Sequence, residues 1–338
     1  MVDYRHLNAM TEQNGILQFS RLQTPDPGSG YTLDDNARAL IVALSRDDGY
    51  ELAGCYAAYL YRSQCLDSWS NFELNGQFSS TFDSEDSVGR ALLACCLGST
   101  SQWPEIRKIC IDMLVRNLPQ TFDFTSPRAI AYTLAGLCKG EIPVFPEKLL
   151  HMVSLLSNRL INLYELKHDK NWFWFEDYLT YCNGILPQAL FAAYSLSGDK
   201  KALKVGHESL NFLNSTLFRD GYLNIVGNQG WYNKGGIIPL FDQQPVDAAS
   251  IYFALMEAYE IIGNREYLDL AKLAHAWYRG VNIHSLSLYD AETGGCFDAL
   301  TEDGVNLNQG AESTLSLILC DLHAKKNMQV QAESEYSS

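Results

Sequence analysis

The sequence predicts an all-α protein, an (α/α)6 barrel of about twelve helices with its long loops gathered on one face. Three observations carry that expectation. Apolar residues recur at spacings of three and four over most of the 338 residues. Two kinds of helical segment alternate, one amphipathic and one apolar nearly all round. The alternation returns at intervals of roughly 40 to 65 residues, a weak internal repeat of helical hairpins.

An amphipathic helix is expected near residues 3–17, and the apolar "DNARALIVALS" (35–45) follows it. "ELAGCYAAYLYRSQ" (51–64) is amphipathic, "EDSVGRALLACCL" (85–97) apolar, "IRKICIDMLVRNL" (106–118) amphipathic and "PRAIAYTLAGLC" (127–138) apolar. The order continues with "EKLLHMVSLLSNRLINLY" (147–164), "LPQALFAAYSL" (186–196), "ALKVGHESLNFLNSTLF" (202–218), "PVDAASIYFALMEAYEIIG" (245–263), "REYLDLAKLAHAWY" (265–278) and "AESTLSLILCDLHA" (311–324). An apolar helix must be covered on all sides, so six of these form an inner ring and the amphipathic ones an outer ring. Each inner helix is entered by a polar loop: "TLDD", "FDSED", "FTSP", "YCNG", "FDQQP" and "LNQG". In such a ring the inner helices run the same way, so these loops converge on one end. The longest loops, about 165–183, 219–244 and 282–310, build up that face, and their glycines and aromatics suggest short strands or turns. Residues 1–324 are read as a single domain and the polar 325–338 as a flexible tail.

With 47% hydrophobic and 19% charged residues the chain reads as globular. A formal net charge of -15 repels phosphate backbones and anionic lipid heads, which argues against nucleic-acid and membrane partners. Nine cysteines, an odd number without a CxxC pair, fit free thiols in a reducing compartment better than a disulfide framework. The seven histidines are scattered and none joins a cluster with metal-ligand spacing. "MVDYRHLNAM" lacks the pattern of a signal peptide, and no apolar run approaches about 20 residues, so a cytoplasmic protein is expected.

The acids collect at the mouths of the inner helices. Asp34, Asp35, Asp247 and Glu312 are the candidate catalytic groups, with Glu176 and Asp177 of "WFWFEDYLTYCNG" as a further pair. Asp86 and Asp242 join them, and Arg38 and Arg90 follow one turn later. Tyr31, Trp172, Trp174, Tyr181 and Trp231 supply rings, and Asn36, Asn183, Asn228, Gln243, Gln244, Asn308 and Gln309 supply amides. Carboxylates among rings and amides suit a sugar. The apolar faces of sugar rings stack on aromatics, and their hydroxyls need fixed donors and acceptors. Cleaving a glycosidic bond takes one carboxyl to protonate the leaving oxygen and another to activate water or attack, with no metal or other cofactor. Each acid taken singly reads equally as a helix cap, and Thr32 with Asp35 resembles a capping box. Convergence of the whole set favours a site. The expected division of labour is that Asp34 caps or orients while Asp35, backed by Arg38, faces the substrate.

The alternating helices resemble the six-hairpin glycosidase superfamily over about residues 3–324. "YTLDDNARAL" is similar to the paired-aspartate segment of glycoside hydrolase family 76, bacterial endo-α-mannanases, in which adjacent aspartates serve as nucleophile and acid/base. That likeness implies these roles for Asp34 and Asp35. "WFEDYLTYCNG", "GNQGWY", "FDQQPVDA" and "NQGAEST" resemble uncharacterised helical domains that accompany bacterial glycosyltransferases and mannoside-processing enzymes. These resemblances imply an oligosaccharide or glycoside substrate. The expectation is a glycoside hydrolase. The alternatives are a carbohydrate-binding or scaffold domain, a glycoside phosphorylase with an anion pocket near Lys234, and a sugar epimerase. The last is disfavoured because the histidines avoid the helix mouths, with His284 in a loop as the nearest exception.

Overall fold

The structure, a computed structural model, describes residues 2–65, 68–80 and 84–336, with the side chains of Cys65 and 330–336 outside that description. Phe82 and Asp83, the start of the expected "FDSED" entry, therefore lie outside the described residues.

Twelve α-helices are present among the described residues: α1 (Arg5–Met10), α2 (Leu33–Leu44), α3 (Tyr50–Arg62), α4 (Glu85–Gly98), α5 (Pro104–Asn117), α6 (Pro127–Lys139), α7 (Pro146–Lys167), α8 (Ile185–Ser197), α9 (Lys200–Leu217), α10 (Pro245–Ile262), α11 (Arg265–Ala276) and α12 (Ala311–Tyr336). The even-numbered helices close a ring, α2 on α4, α4 on α6, α6 on α8, α8 on α10, α10 on α12 and α12 back on α2. Each is backed by an outer partner: α3, α5, α7, α9 and α11 pack on the inner helix before them, and α1 packs on α12. This is the (α/α)6 barrel. Leu40, Leu92, Leu134, Leu190, Leu255 and Leu315, one from each inner helix, are fully buried. No helix among the described residues is long and apolar enough to cross a membrane. The eight cysteines whose side chains are described are free, six of them buried.

Two boundaries differ from the expectation. The helix expected near 3–17 stops at Met10, because Thr11 and Glu12 turn back to pair with Ile16 and Gly15 in a small antiparallel ribbon. The segment after 324 continues α12 to Tyr336. Its Lys, Gln, Ala and Glu residues are good helix formers, and no Gly or Pro stops it. The long loops meet on one face as expected. Tyr178–Leu179 pairs with Tyr232–Asn233, Ala299–Thr301 pairs with Gly304–Asn306, and Gln243 bridges to Leu300.

Inner helices approach most closely where a glycine allows it. A Cβ on Gly89 of α4 would stand 2.8 Å from both Cα and O of Ala129 on α6. Backbone cannot swing aside as a side chain can, so Gly89→Ala should cost about 1–3 kcal/mol of stability, as overpacking does. Thermal unfolding monitored by circular dichroism checks this; an unchanged midpoint would contradict the tight α4–α6 contact.

Candidate active site

The first turns of α2, α4, α6, α10 and α12 and the Tyr181–Gly184 turn before α8 meet at one end of the ring. At the centre is Arg38. Its Nη1 donates to Asp34 Oδ2 at 3.0 Å and to Asp35 Oδ1 at 2.9 Å, and its Nη2 donates to Glu312 Oε2 at 2.6 Å. A planar guanidinium suits this task, since its donors lie in a fixed fork. Arg90 lies beside it, with Nη1 3.7 Å from Asp34 Oδ2, Nη2 donating to Cys182 Sγ at 3.5 Å, and its face over the Tyr132 ring at 4.7 Å. Both arginines are buried and each is the sixth residue of its inner helix.

A third buried arginine completes the layer. Arg128 donates to Tyr181 O at 2.6 Å, to Glu176 Oε2 at 2.8 Å and to Asn183 Oδ1 at 3.1 Å. Asp86 accepts from Ser126 Oγ at 2.5 Å and from the Tyr181 hydroxyl, so Tyr181 ties the α4 and α6 mouths together. Asp247 accepts the backbone N–H of Cys182, a residue held at φ 46° at the base of the cleft. The ring of Trp231 stands 6.3 Å from that of Tyr181, and both are half-buried.

The carboxyls differ in proton affinity. Burial pushes Asp34 upward, but the charges of Arg38 and Arg90 outweigh it and hold the group below its ordinary value. Burial, then the charge of Asp34, pushes Asp35 upward against Arg38. Burial likewise raises Asp247, to about 7, with the Cys182 N–H opposing it and Glu312 adding to it. Asp298 is also raised by burial, although Gly310 N donates to its Oδ1 at 2.7 Å. Among the described residues no group of three or more His, Cys, Asp or Glu is arranged to hold a metal ion.

Of the paired aspartates it is Asp35, not Asp34, that hydrogen-bonds the cap residue. Thr32 is the N-cap of α2: its hydroxyl accepts from Asp35 N at 3.4 Å and donates to Asp35 Oδ2 at 2.7 Å. Asp35, third in the helix, is thus bonded to the N-cap side chain through both its backbone N–H and its carboxylate, and its side chain is 6% exposed. Asp34, second in the helix, is 23% exposed and lies between the two arginines.

Several other expected site residues are structural. Trp172 and Trp174 are not cleft walls. They are buried against Phe212, and Trp172 Nε1 donates to Glu176 O at 2.7 Å. Tyr31 points to the outer layer, where its hydroxyl donates to Glu12 Oε2 at 2.5 Å and its ring meets Tyr59. Asn36 is spent on Ile16 N and Thr32 O, holding the N-terminal ribbon to α2. Gln243 is fully buried among Asn224, Leu240 O and Trp277, and Gln309 among Thr293 and Asp290. Asn308 caps the N–H of Leu22. Asn183 holds its own turn through Thr180 as well as Arg128. Glu176 is committed to Arg128, and Asp177 is exposed and paired with Lys167. Half-buried Asp242 and Asn228 pin each other's loop, Asp242 N donating to Asn228 Oδ1 at 3.4 Å, and Gln244 stands beside them as the N-cap position of α10.

Arg128, Cys182 and Tyr132 belong to the base of the cleft and were not singled out from the sequence. For Arg128 a signal existed: it is the only charged residue of "PRAIAYTLAGLC". His6 also reaches this end, its Nε2 2.8 Å from Gln309 O, although it belongs to α1.

No protein-family model and no curated protein sequence matches the chain. By structure it is similar to the cellobiose 2-epimerase of Spirochaeta thermophila (TM-score 0.71, 13% identity, 97% of this chain and 95% of that one). It is similar as well to the cellobiose 2-epimerase of Bacillus thermoamylovorans (TM-score 0.70, 10% identity, 94% and 95%). A third likeness is to the family 76 α-mannanase of Bacteroides thetaiotaomicron (TM-score 0.60, 12% identity, 89% and 88%). The shared feature is the fold, the (α/α)6 barrel.

Proposed function

We propose that this chain is a carbohydrate-active enzyme, a glycoside hydrolase that works with carboxyl groups at the mouths of its inner helices. One observation carries the reading: Asp34 and Asp247, on one end of the ring, are driven in opposite directions in proton affinity. Two carboxyls set apart in this way can act as ionised base and protonated acid at the same pH. In this reading Asp34 is the ionised group that activates water or attacks the anomeric carbon. Asp247 keeps a proton and delivers it to the leaving oxygen. One of its oxygens is held by Cys182 N–H, which leaves the other for the proton. Arg38 and Arg90 orient Asp34, Asp35 holds the turn, and Glu312, half-exposed on Arg38, binds a sugar hydroxyl. Trp231 and Tyr181 stack on a sugar face. The similarity of "YTLDDNARAL" to family 76 supports the same bond class.

A second reading, epimerisation of a reducing-end sugar, is favoured by the higher similarity to the two epimerases. Against it, among the described residues no histidine hydrogen-bonds Asp34, Asp35, Asp247 or Glu312.

The experiment is a panel of α- and β-linked oligosaccharides assayed for three products. Release of reducing ends is the expected result. Cleavage that needs added inorganic phosphate would make the protein a phosphorylase. Deuterium incorporation from 2H2O at C2 without cleavage would make it an epimerase. Binding by calorimetry with no product of any kind would leave a binding domain and defeat the hydrolase reading.

A further inference from the structure

Beneath the arginine layer the barrel axis is not filled. A cavity of about 270 Å3 extends from Arg90 and Cys182 toward the C-terminal ends of the inner helices, where Lys139, Glu257 and His323 border it. Its wall is mainly apolar, formed by Ile41, Leu93, Ile185, Val246, Phe253 and Leu319. Glu260 is exposed and Lys139 half-exposed, so the far end meets solvent on the face opposite the cleft. Lys139 pairs with Glu257 there, which neutralises the rim.

Native interiors rarely keep voids larger than a water molecule. An apolar void forfeits contacts on every wall, and an occupant restores them. An engineered apolar cavity of ~150 Å3 stays dry and takes up benzene, so this one has room for about ten non-hydrogen atoms. Between the arginine floor and the charged rim, Gln188, Ser250 and Ser316 are polar members of the wall. The hydroxyl oxygen of Ser250, a lining residue, is buried and has no hydrogen-bond partner among the described residues. A buried hydroxyl without a partner is unfavourable, and a ligand group that meets it is selected over one that does not.

The geometry points to a second binding site on the far side of the cleft's floor, with Arg38, Arg90, Tyr132 and Cys182 shared between the two: the axial cavity takes a small, uncharged, mainly apolar molecule of bicyclic-aromatic size with one hydrogen-bonding group for Ser250. It enters from the face opposite the acidic cleft. The site is independent of the hydrolase reading.

Naphthalene and 2-naphthol test it, titrated against the full chain by calorimetry. Both should bind saturably at one site, 2-naphthol more tightly. Ser250→Ala should weaken 2-naphthol about fivefold, the equivalent of one hydrogen bond, and leave naphthalene unchanged. Ala249→Phe and Ala135→Leu, which fill the cavity from α10 and α6, should each weaken both probes at least tenfold while keeping a cooperative melt. Diffraction from xenon-pressurised crystals of the unaltered protein needs no variant to fold, and should place xenon between Leu93, Phe253 and Leu319. Absence of saturable binding, equal binding by folded filled variants, or no xenon in the cavity would each overturn the proposal.

Discussion

Arg38→Met should lower the unfolding free energy by roughly 3–5 kcal/mol at neutral pH, the usual cost of removing one partner from a buried ionic group. Arg38 is bonded to three carboxyls at once, and its deletion leaves Asp34, Asp35 and Glu312 facing one another with only Arg90 at 3.7 Å from Asp34. Methionine fills much of the volume, so the loss reports charge rather than a void. The pH dependence gives the mechanism. In the unaltered protein Asp34 is held below its unfolded value, so it contributes stability that is present above that value and is lost as pH falls through the folded one. In the variant the same carboxyls are pushed above their unfolded values. The deficit is then full at high pH and shrinks as acid protonates them. Urea denaturation at pH 7 and pH 5 should show the gap between the two proteins narrowing at the lower pH. A gap that widens, or a loss under about 1 kcal/mol at pH 7, would mean that the Arg38 cluster is not the electrostatic centre of the site. Arg38→Lys should fall between the two, because one ammonium cannot present a planar fork to three acids.

The barrel was legible because the alternation of all-apolar and one-sided helices is a physical demand of two concentric rings. Inner helices such as α8 have no face to wet, while outer ones such as α9 do. The convergence of Asp34, Asp247 and Glu312 with Arg38 and Arg90 followed from the same demand. Finer assignments failed where local chemistry competes. In "TLDD" both aspartates satisfy a cap by spacing, and only the side-chain bond from Thr32 shows that Asp35 is the one consumed. Trp172 and Trp174 alternate at period two inside a polar loop, which looks like a cleft wall in sequence. The loop folds back on α9 instead, and Phe212 receives the rings. The amides of Asn36, Gln243 and Gln309 were indistinguishable from sugar ligands, because loop backbone and neighbouring polar side chains need such groups as partners. Arg128 was missed because its helix mouth, "FTSP", carries no acid. Its partner Glu176 arrives from 48 residues away.

In the proposed mechanism Asp34 meets the anomeric centre, so Asp34→Asn, which keeps its shape, should reduce glycan cleavage by about 10³-fold or more while leaving glycan affinity within a fewfold. Asp247→Asn separates the two roles. A general acid matters most when the leaving group is poor, so this variant should lose natural glycans on the order of 10²–10⁴-fold and retain much of its rate on nitrophenyl glycosides. The pH profiles carry the rest. Asp247 must be protonated and its value is raised to about 7, so the unaltered protein should lose activity as pH rises through that value. Asp34 must be ionised and lies below the ordinary carboxyl value, so the acidic limb should fall below the usual Asp range. With nitrophenyl substrates Asp247→Asn should lose the limb near 7 and keep the acidic one. The same substitution removes a stability cost. A carboxyl raised above its unfolded value destabilises the fold progressively between about pH 4 and its folded value, and fully above it. Asp247→Asn should therefore be no less stable than the parent at pH 8, and relatively less stable at pH 4. If the nitrophenyl rate is lost as completely as the glycan rate, Asp247 is not the acid, and half-exposed Glu312 becomes the group to replace next.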